Sequence, residues 1–385
     1  MDHKNAYIQR LSSESAELLK EMIAIPSPSF NEEQVCGHIC GWFSNKGITH
    51  ERIGNNIIAE HITDRAKPVV MLCAHIDTVS PSPEYEFDPY SPDYMKAAEV
   101  TSAASGRILN PDDIVAGLGS NDDGASVVAL TAAYRYFIEN PSEKTPNLVL
   151  VLTCEEERSG KDGMTGLWGR RFIGRNSGKE GCTQIDYAIV GEPTGMKAAT
   201  SERGLLVIDA TAHGISGHAA RNEGRNALYI ALEDIERLRN HVFGKVSPRM
   251  GKVNLNVTQI NAGTAHNVIP DSCTFVIDIR PTEQYTNEEI LAELQSICQS
   301  ELKPRNLGNR SSATYEDSPL QKAAESLGIE TFSSPTTSDW MRIGCDAVKM
   351  GPGDSARSHR RNEFVLTEEI HEGIRRYIEF IENIR

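Results

Sequence analysis

Three short runs of unbroken apolar residues, each running straight into acids or a histidine, constrain this chain more than anything else in it. Residues 68–74 (PVVMLCA) lead into His75-Ile-Asp77, residues 147–153 (NLVLVLT) into Cys154-Glu155-Glu156-Glu157, and residues 186–190 (DYAIV) into Gly191-Glu192-Pro-Thr. Runs of this length without alternation read as strands buried on both faces, as in the parallel sheet of an α/β fold. In such sheets ligands bind outside the carboxyl ends of the strands. A Gly-rich loop, Gly117-Leu-Gly-Ser-Asn-Asp122-Asp123-Gly124, precedes an apolar helical stretch at 124–138, and Gly351-Pro-Gly353-Asp leads on to His359. Carboxylates gathered beside apolar strands repel one another and lose hydration. A divalent cation relieves both penalties, and histidine with carboxylate is a donor set suited to zinc. Taken singly, each cluster also has a plain reading as a loop histidine, a capping aspartate, a solvated glutamate run or a turn. It is their joint placement at strand ends that points to chemistry.

The rest of the chain divides by pattern. Residues 6–24, 32–45 and 367–384 read as helices, and strands are expected at 56–61 as well as in the three apolar runs. From about residue 197 the strands at 204–212 and 253–260 alternate, another follows at 273–279, and helices at 225–240 and 286–302 lie between and after them. The polar stretch 304–313 closes this block. The expectation is an α/β domain at 1–196 and 308–385, interrupted by a smaller α+β domain at 197–307. The net charge is −15 and there is no Lys/Arg-rich run, which argues against nucleic acid and anionic membranes as partners. No apolar run reaches the roughly 18–20 residues of a membrane span. Eight cysteines without C-x-x-C, and no apolar signal at the N-terminus, read as reduced thiols of a cytoplasmic protein. Cys36, His38 and Cys40 cannot share one face of a helix and read as packing rather than as a metal site. A phosphate loop, H-E-x-x-H and G-x-S-x-G are all missing from the sequence.

In their order and spacing, His75-Ile-Asp77-Thr-Val, Gly117-Leu-Gly-Ser-Asn-Asp122-Asp123, Glu155-Glu156-Glu157, Gly191-Glu192-Pro-Thr, Gly217-His218-Ala, Asn267-Val-Ile-Pro and Gly351-Pro-Gly-Asp-(x)4-His359-(x)3-Glu363 resemble the M20 family of metallopeptidases and amidohydrolases. The resemblance covers residues 10–380. It implies a zinc-exopeptidase-like α/β catalytic domain with a mixed sheet, interrupted by an α+β lid that also dimerises. It further implies two Zn2+ ions, with Co2+ as a substitute. His75 and Glu192 would hold one ion, Glu157 and His359 the other, and Asp122, beside a cis peptide to Asp123, would bridge both. Glu156 would be the general base and Asp77 would orient His75. His218 would reach a substrate oxyanion in the neighbouring subunit, Asn267 and Arg280 would hold the substrate carboxylate, and Gly353 would offer a backbone donor. The chain departs from the family by lacking a Lys after Asp122-Asp123 and by carrying Glu155 where the family has Asp.

The implied activity is hydrolysis of the amide bond of a small N-acyl amino acid by a homodimer. Acetylornithine deacetylase, or an acyl-citrulline deacylase of arginine biosynthesis, is the first expectation. Succinyl-diaminopimelate desuccinylase and a di- or tripeptidase follow. A non-catalytic binding relative is the reading from another class, and the full set of ligands and base speaks against it.

Overall fold

The computed structural model describes residues 3–143, 145–175, 178–221 and 223–384. The chain forms two compact units. One comprises Met1–Thr200, Thr314–Phe332 and Ser338–Arg385, and the other Ser201–Ala313 and Ser333–Thr337. The second unit thus starts and ends slightly later than the insert read from sequence and takes in a short return at 333–337.

The first unit is built on a mixed sheet in which the strands Glu51–Ile53, Asn56–His61, Asn147–Thr153, Val69–His75, Tyr187–Val190, Asp346–Lys349 and Ala198–Glu202 lie side by side in that order. The central four, 147–153, 69–75, 187–190 and 346–349, are parallel to one another. Their lack of alternation has a simple cause. Val70, Leu72, Ala74, Leu148, Leu150 and Leu152 point into a core beneath the helices His3–Ile23, Ala125–Glu139 and Thr367–Asn383. Met71, Cys73, Val149 and Val151 point into a second core on the opposite face, with Phe172 and Trp340. Because the four strands run the same way, their carboxyl ends bring His75, the Glu155–Glu157 turn, Glu192 and the Gly351–His359 loop to one edge.

The second unit has an antiparallel sheet of strands Asn254–Ala262, Ser272–Arg280, Leu206–His213 and Glu301–Pro304 in that order. One face packs against the helices Ala227–Asn240 and Asn287–Ile297 through Leu206, Ile208, Phe275, Ile277 and Ile279. The alternation along 272–280 is that of a sheet with one covered face.

One sequence expectation is corrected, and one element is added. The helix expected over 286–302 ends at Ile297, because the fully buried Asp234 carboxylate captures the backbone N–H groups of Gln299 and Ser300 and turns the chain into the edge strand Glu301–Pro304. Between Asp77 and Gly117, where the sequence pattern predicts no element, lies the helix Tyr94–Ser105, N-capped by Asp93. The helix carrying Cys36, His38 and Cys40 spans Glu33–Asn45, and His38 pairs with Glu21 at 2.9 Å. No helix among the described residues is long and apolar enough to cross a membrane.

Candidate metal centre

His75 ends its strand with a side chain only 3% exposed. Its Nε2 lies 3.3 Å from Oδ1 of Asp122, while Nε2 of His359 lies 3.6 Å from Oδ2 of the same carboxylate. Asp122 therefore faces one imidazole with each oxygen. His359 Nε2 is also 2.9 Å from Oε1 of Glu157. One donor atom from each of His75, Asp122 and Glu157 falls within 4.8 Å of the others, and the same holds for His75, Glu156 and Glu192. Seven positions singled out in the sequence, His75, Asp77, Asp122, Glu156, Glu157, Glu192 and His359, thus meet at one edge of the sheet.

The loops reach this arrangement through buried carboxylates that bind backbone. Glu363 Oε1 accepts the N–H groups of Asn121 and Asp122 at 2.8 and 2.9 Å, and Oε2 accepts that of Gly119 at 3.1 Å. Glu363 is only 2% exposed, so these bonds fix the loop that presents Asp122. The sequence pattern contained Glu363 but gave no hint of this role. Gly119 has φ 78°, and a Cβ there would run into the Thr78 methyl group. The Asp122–Asp123 peptide is cis. Asn121 Oδ1 accepts the Asp354 N–H at 2.9 Å, and Gly353, at φ 87°, packs so closely on Asn121 that a side chain would collide with it.

Asp77 contacts both His75 and the glutamate turn. Its backbone carbonyl is 2.9 Å from His75 Nδ1 and its carboxylate Oδ1 is 3.5 Å away. The shorter bonds of the carboxylate go to the N–H groups of Glu156 and Glu157, at 3.0 and 3.1 Å, and to the Ser29 hydroxyl at 2.7 Å. The neighbouring glutamates do not continue the strand Asn147–Thr153. Glu155 adopts a left-handed conformation at φ 61°, and Glu156–Arg158 form one 3-10 turn. Glu155 is spent on the turn itself, its Oε2 accepting the Asp162 N–H at 3.1 Å.

Burial pushes the carboxyls of Glu156 and Glu192 well above the usual range, with neighbouring acids adding to the effect. It also raises Asp123 and Glu363, each to about 8. The bond to Glu157 lifts His359 to about 9 against the opposing effect of burial. Burial lowers His75, but its bonds to Asp122 and Asp77 outweigh this and carry it well above the ordinary histidine value. Without cations the cluster therefore holds protons, and loading it must release them. The sign follows directly. Groups with a raised folded-state pKa contribute stability that is full below their unfolded values, about 4 for carboxyls and 6.5 for imidazole. That contribution is lost as pH climbs through the values of about 8 and 9 at Asp123, Glu363 and His359. The Tm of chelator-treated protein is therefore expected to fall between about pH 5 and pH 9, while metal-loaded protein declines less. A thermal-melt series across pH, with and without chelator, checks this.

Residues 200–306 match the peptidase dimerisation domain of M20 peptidases, and residues 56–189 match peptidase family M28. A succinyl-diaminopimelate desuccinylase of Psychromonas ingrahamii is 26% identical over 80% of this chain and 81% of its own length. An acetylornithine deacetylase of Myxococcus xanthus is 26% identical over 60% of this chain and 63% of its own. The YXEP protein of Bacillus subtilis, described as a dinuclear metal-binding peptidase of the M20 family, superposes with a TM-score of 0.67 at 16% identity, over 97% of this chain and 98% of that one. Residues 200–306 of the chain are thus an M20 peptidase dimerisation domain. The chain has the M20 fold, a mixed α/β sheet with a separate dimerisation domain, and it is an enzyme of the metallopeptidase and amidohydrolase type.

The cluster of this M20 chain fits a pair of divalent cations on its own chemistry. Its donors are imidazole nitrogens and carboxylate oxygens. In two sets of three their donor atoms lie within 4.8 Å of one another, and Asp123 Oδ1 is buried with no hydrogen-bond partner among the described residues. The remaining site positions lie in the second unit. His218 and Val268 face each other across a two-stranded ribbon, and the Asn267 carbonyl accepts the Ala219 N–H at 3.0 Å, so His218 and Asn267 are neighbours. Arg280 donates through Nε and Nη2 to Asp278 at 2.8 and 3.1 Å.

Proposed function

We propose that this M20 enzyme hydrolyses the amide bond of an N-acylated amino acid with two bound divalent cations. His75 and Glu192 hold one, Glu157 and His359 the other, and Asp122 both. The observation that carries the reading is the Asp122 carboxylate, which turns one oxygen to each of two imidazoles, at 3.3 and 3.6 Å. Zn2+ suits the donor set, with Co2+ as a working substitute. When bound, the ions polarise the scissile carbonyl and lower the pKa of the attacking water. Glu156, in the same turn as Glu157 but turned toward His75 and Glu192, takes the proton of that water and returns it to the leaving nitrogen. Asp77 holds the turn in register by accepting both glutamate N–H groups.

His218 supplies a donor for the developing oxyanion, contributed across a homodimer through the dimerisation domain. Its Nδ1 accepts the Ala220 N–H at 3.2 Å, an assignment that leaves the ring proton on Nε2, where it is free to donate. His218→Ala is expected to lower kcat by about 100-fold, with KM and metal content unchanged. Steady-state kinetics paired with metal analysis checks this, and loss of metal would contradict the assignment. Asn267 and Arg280 bind the substrate carboxylate, Arg280 through the edge not engaged by Asp278, and Gly353 offers its backbone.

Desuccinylases recur among the relatives alongside an acetylornithine deacetylase, so acetylornithine is one of two leading substrate types rather than the first choice. A factorial panel tests the reading: N-acetyl and N-succinyl forms of ornithine, citrulline and diaminopimelate, plus a dipeptide, each with added zinc or cobalt. Hydrolysis of an N-acyl amino acid supports the reading. Hydrolysis of the dipeptide alone would overturn the deacylase assignment, and an inert metal-free protein that no metal activates would return it to a binding relative.

A further inference from the structure

One buried carboxylate outside the cluster ties the catalytic turn to the N-terminal segment. Glu32 is fully buried, and its Oε1 accepts the N–H of Phe30 at 2.7 Å and that of Glu155 at 3.2 Å. Both donors are left-handed residues that are not glycine, Phe30 at φ 74° and Glu155 at φ 61°. Such backbone is costly for residues with a Cβ and persists only where the surroundings hold it. Here a single oxygen holds both. Oε2 of Glu32 is in turn fixed by the Asn55 amide at 3.1 Å. Two residues before Phe30, Pro28 bridges to Thr78, and the Ser29 N–H donates to the Thr78 carbonyl at 3.2 Å. The Ser29 hydroxyl then donates to the Asp77 carboxylate, which accepts the N–H groups of Glu156 and Glu157. All three glutamates of the turn are thus gripped by backbone N–H groups. Glu155 is held directly by Glu32, and Glu156 and Glu157 are held through Asp77 by Ser29.

We propose that Ser29 and Glu32 are positioning residues that brace the Glu155–Glu157 turn and so aim Glu156 at the reacting water. The inference rests on the reading of Glu156 as general base. Neither Ser29 nor Glu32 hydrogen-bonds a donor atom of the candidate metal ligands, so the brace acts through the backbone of the turn. An error of about 1 Å in such a group costs on the order of 100-fold in rate.

The test uses the full-length, zinc-loaded enzyme and the N-acyl substrate that the panel identifies. It combines kinetics, metal content and amide hydrogen exchange of the peptide spanning residues 154–158. Glu32→Ala is expected to lower kcat by about 100-fold, with KM within about 2-fold of wild type. Metal content is expected to stay the same, and exchange to accelerate at 154–158. Glu32→Gln keeps one acceptor oxygen for both N–H groups and is expected to recover to within about 5-fold of wild type. Should Glu32→Ala fail to fold, Glu32→Asp and Ser29→Ala decide the matter, each with a kcat loss of about 10-fold and the same local exchange signature. The proposal is overturned if activity falls only in proportion to lost metal or lost folded protein, or if exchange at 154–158 and kcat both stay at wild-type values. A wild type that hydrolyses nothing in the panel, while Glu32→Ala still loosens 154–158, would defeat the general-base reading and leave the brace standing. An active wild type with indifferent variants would do the reverse.

Discussion

Glu156→Gln is expected to leave the protein folded and loaded with metal while lowering kcat by about 1,000-fold. Adjacent side chains of the turn have separate jobs. Glu157 lies 2.9 Å from His359 and within reach of Asp122, so its oxygen is committed to that side of the cluster. Glu155 is committed to the Asp162 N–H. Glu156 alone of the three approaches His75 and Glu192 without being needed to close the Asp122-centred group. Gln keeps its shape and one acceptor oxygen but cannot carry a proton from water to nitrogen. Glu157→Gln should instead weaken one ion, so that added metal restores part of the activity. Metal titration of the two variants separates the roles, and an exchanged outcome would shift the register of the turn by one residue.

The second large effect is expected from Asp122→Ala. This carboxylate turns one oxygen to each imidazole, at 3.3 and 3.6 Å, and its removal takes away that shared partner of His75 and His359. Both ions should be held far more weakly, and kcat/KM should drop by about 1,000-fold or more even with excess metal. The fold should survive, because the loop around position 122 is held by Glu363 through backbone N–H groups that the substitution leaves in place. Equilibrium dialysis with zinc, alongside a thermal melt of the chelated protein, distinguishes lost binding from lost structure. Near-normal zinc content would remove Asp122 from the bridging position.

The parts of the molecule that could be read from sequence are those where burial leaves a pattern. The strands 69–75 and 147–153 are apolar without interruption because both their faces are covered, and the acids at their ends stand out against that background. Asp122 and His359 were legible through glycine-bounded loops. The helix Tyr94–Ser105 was not, because it buries only Ala97, Ala98 and Thr101, which contrast too little with its exposed residues to show a periodicity. The end of the helix at Ile297 depends on Asp234, more than sixty positions earlier, which no local pattern reports. The same blindness hid Glu32 and Glu363. A carboxylate that accepts backbone N–H groups selects no particular side chain in its partner, so the sequence carries no trace of the pairing. Yet these two residues, with Asp77, determine where the site's loops sit.

Anomalous diffraction at the zinc edge, from crystals grown with zinc, tests the central claim most directly. The account predicts two peaks about 3.5–4 Å apart, one between His75 and Glu192, one between Glu157 and His359, with Asp122 touching both. Peaks that avoid Asp122, or a single fully occupied ion in the presence of excess zinc, would contradict it.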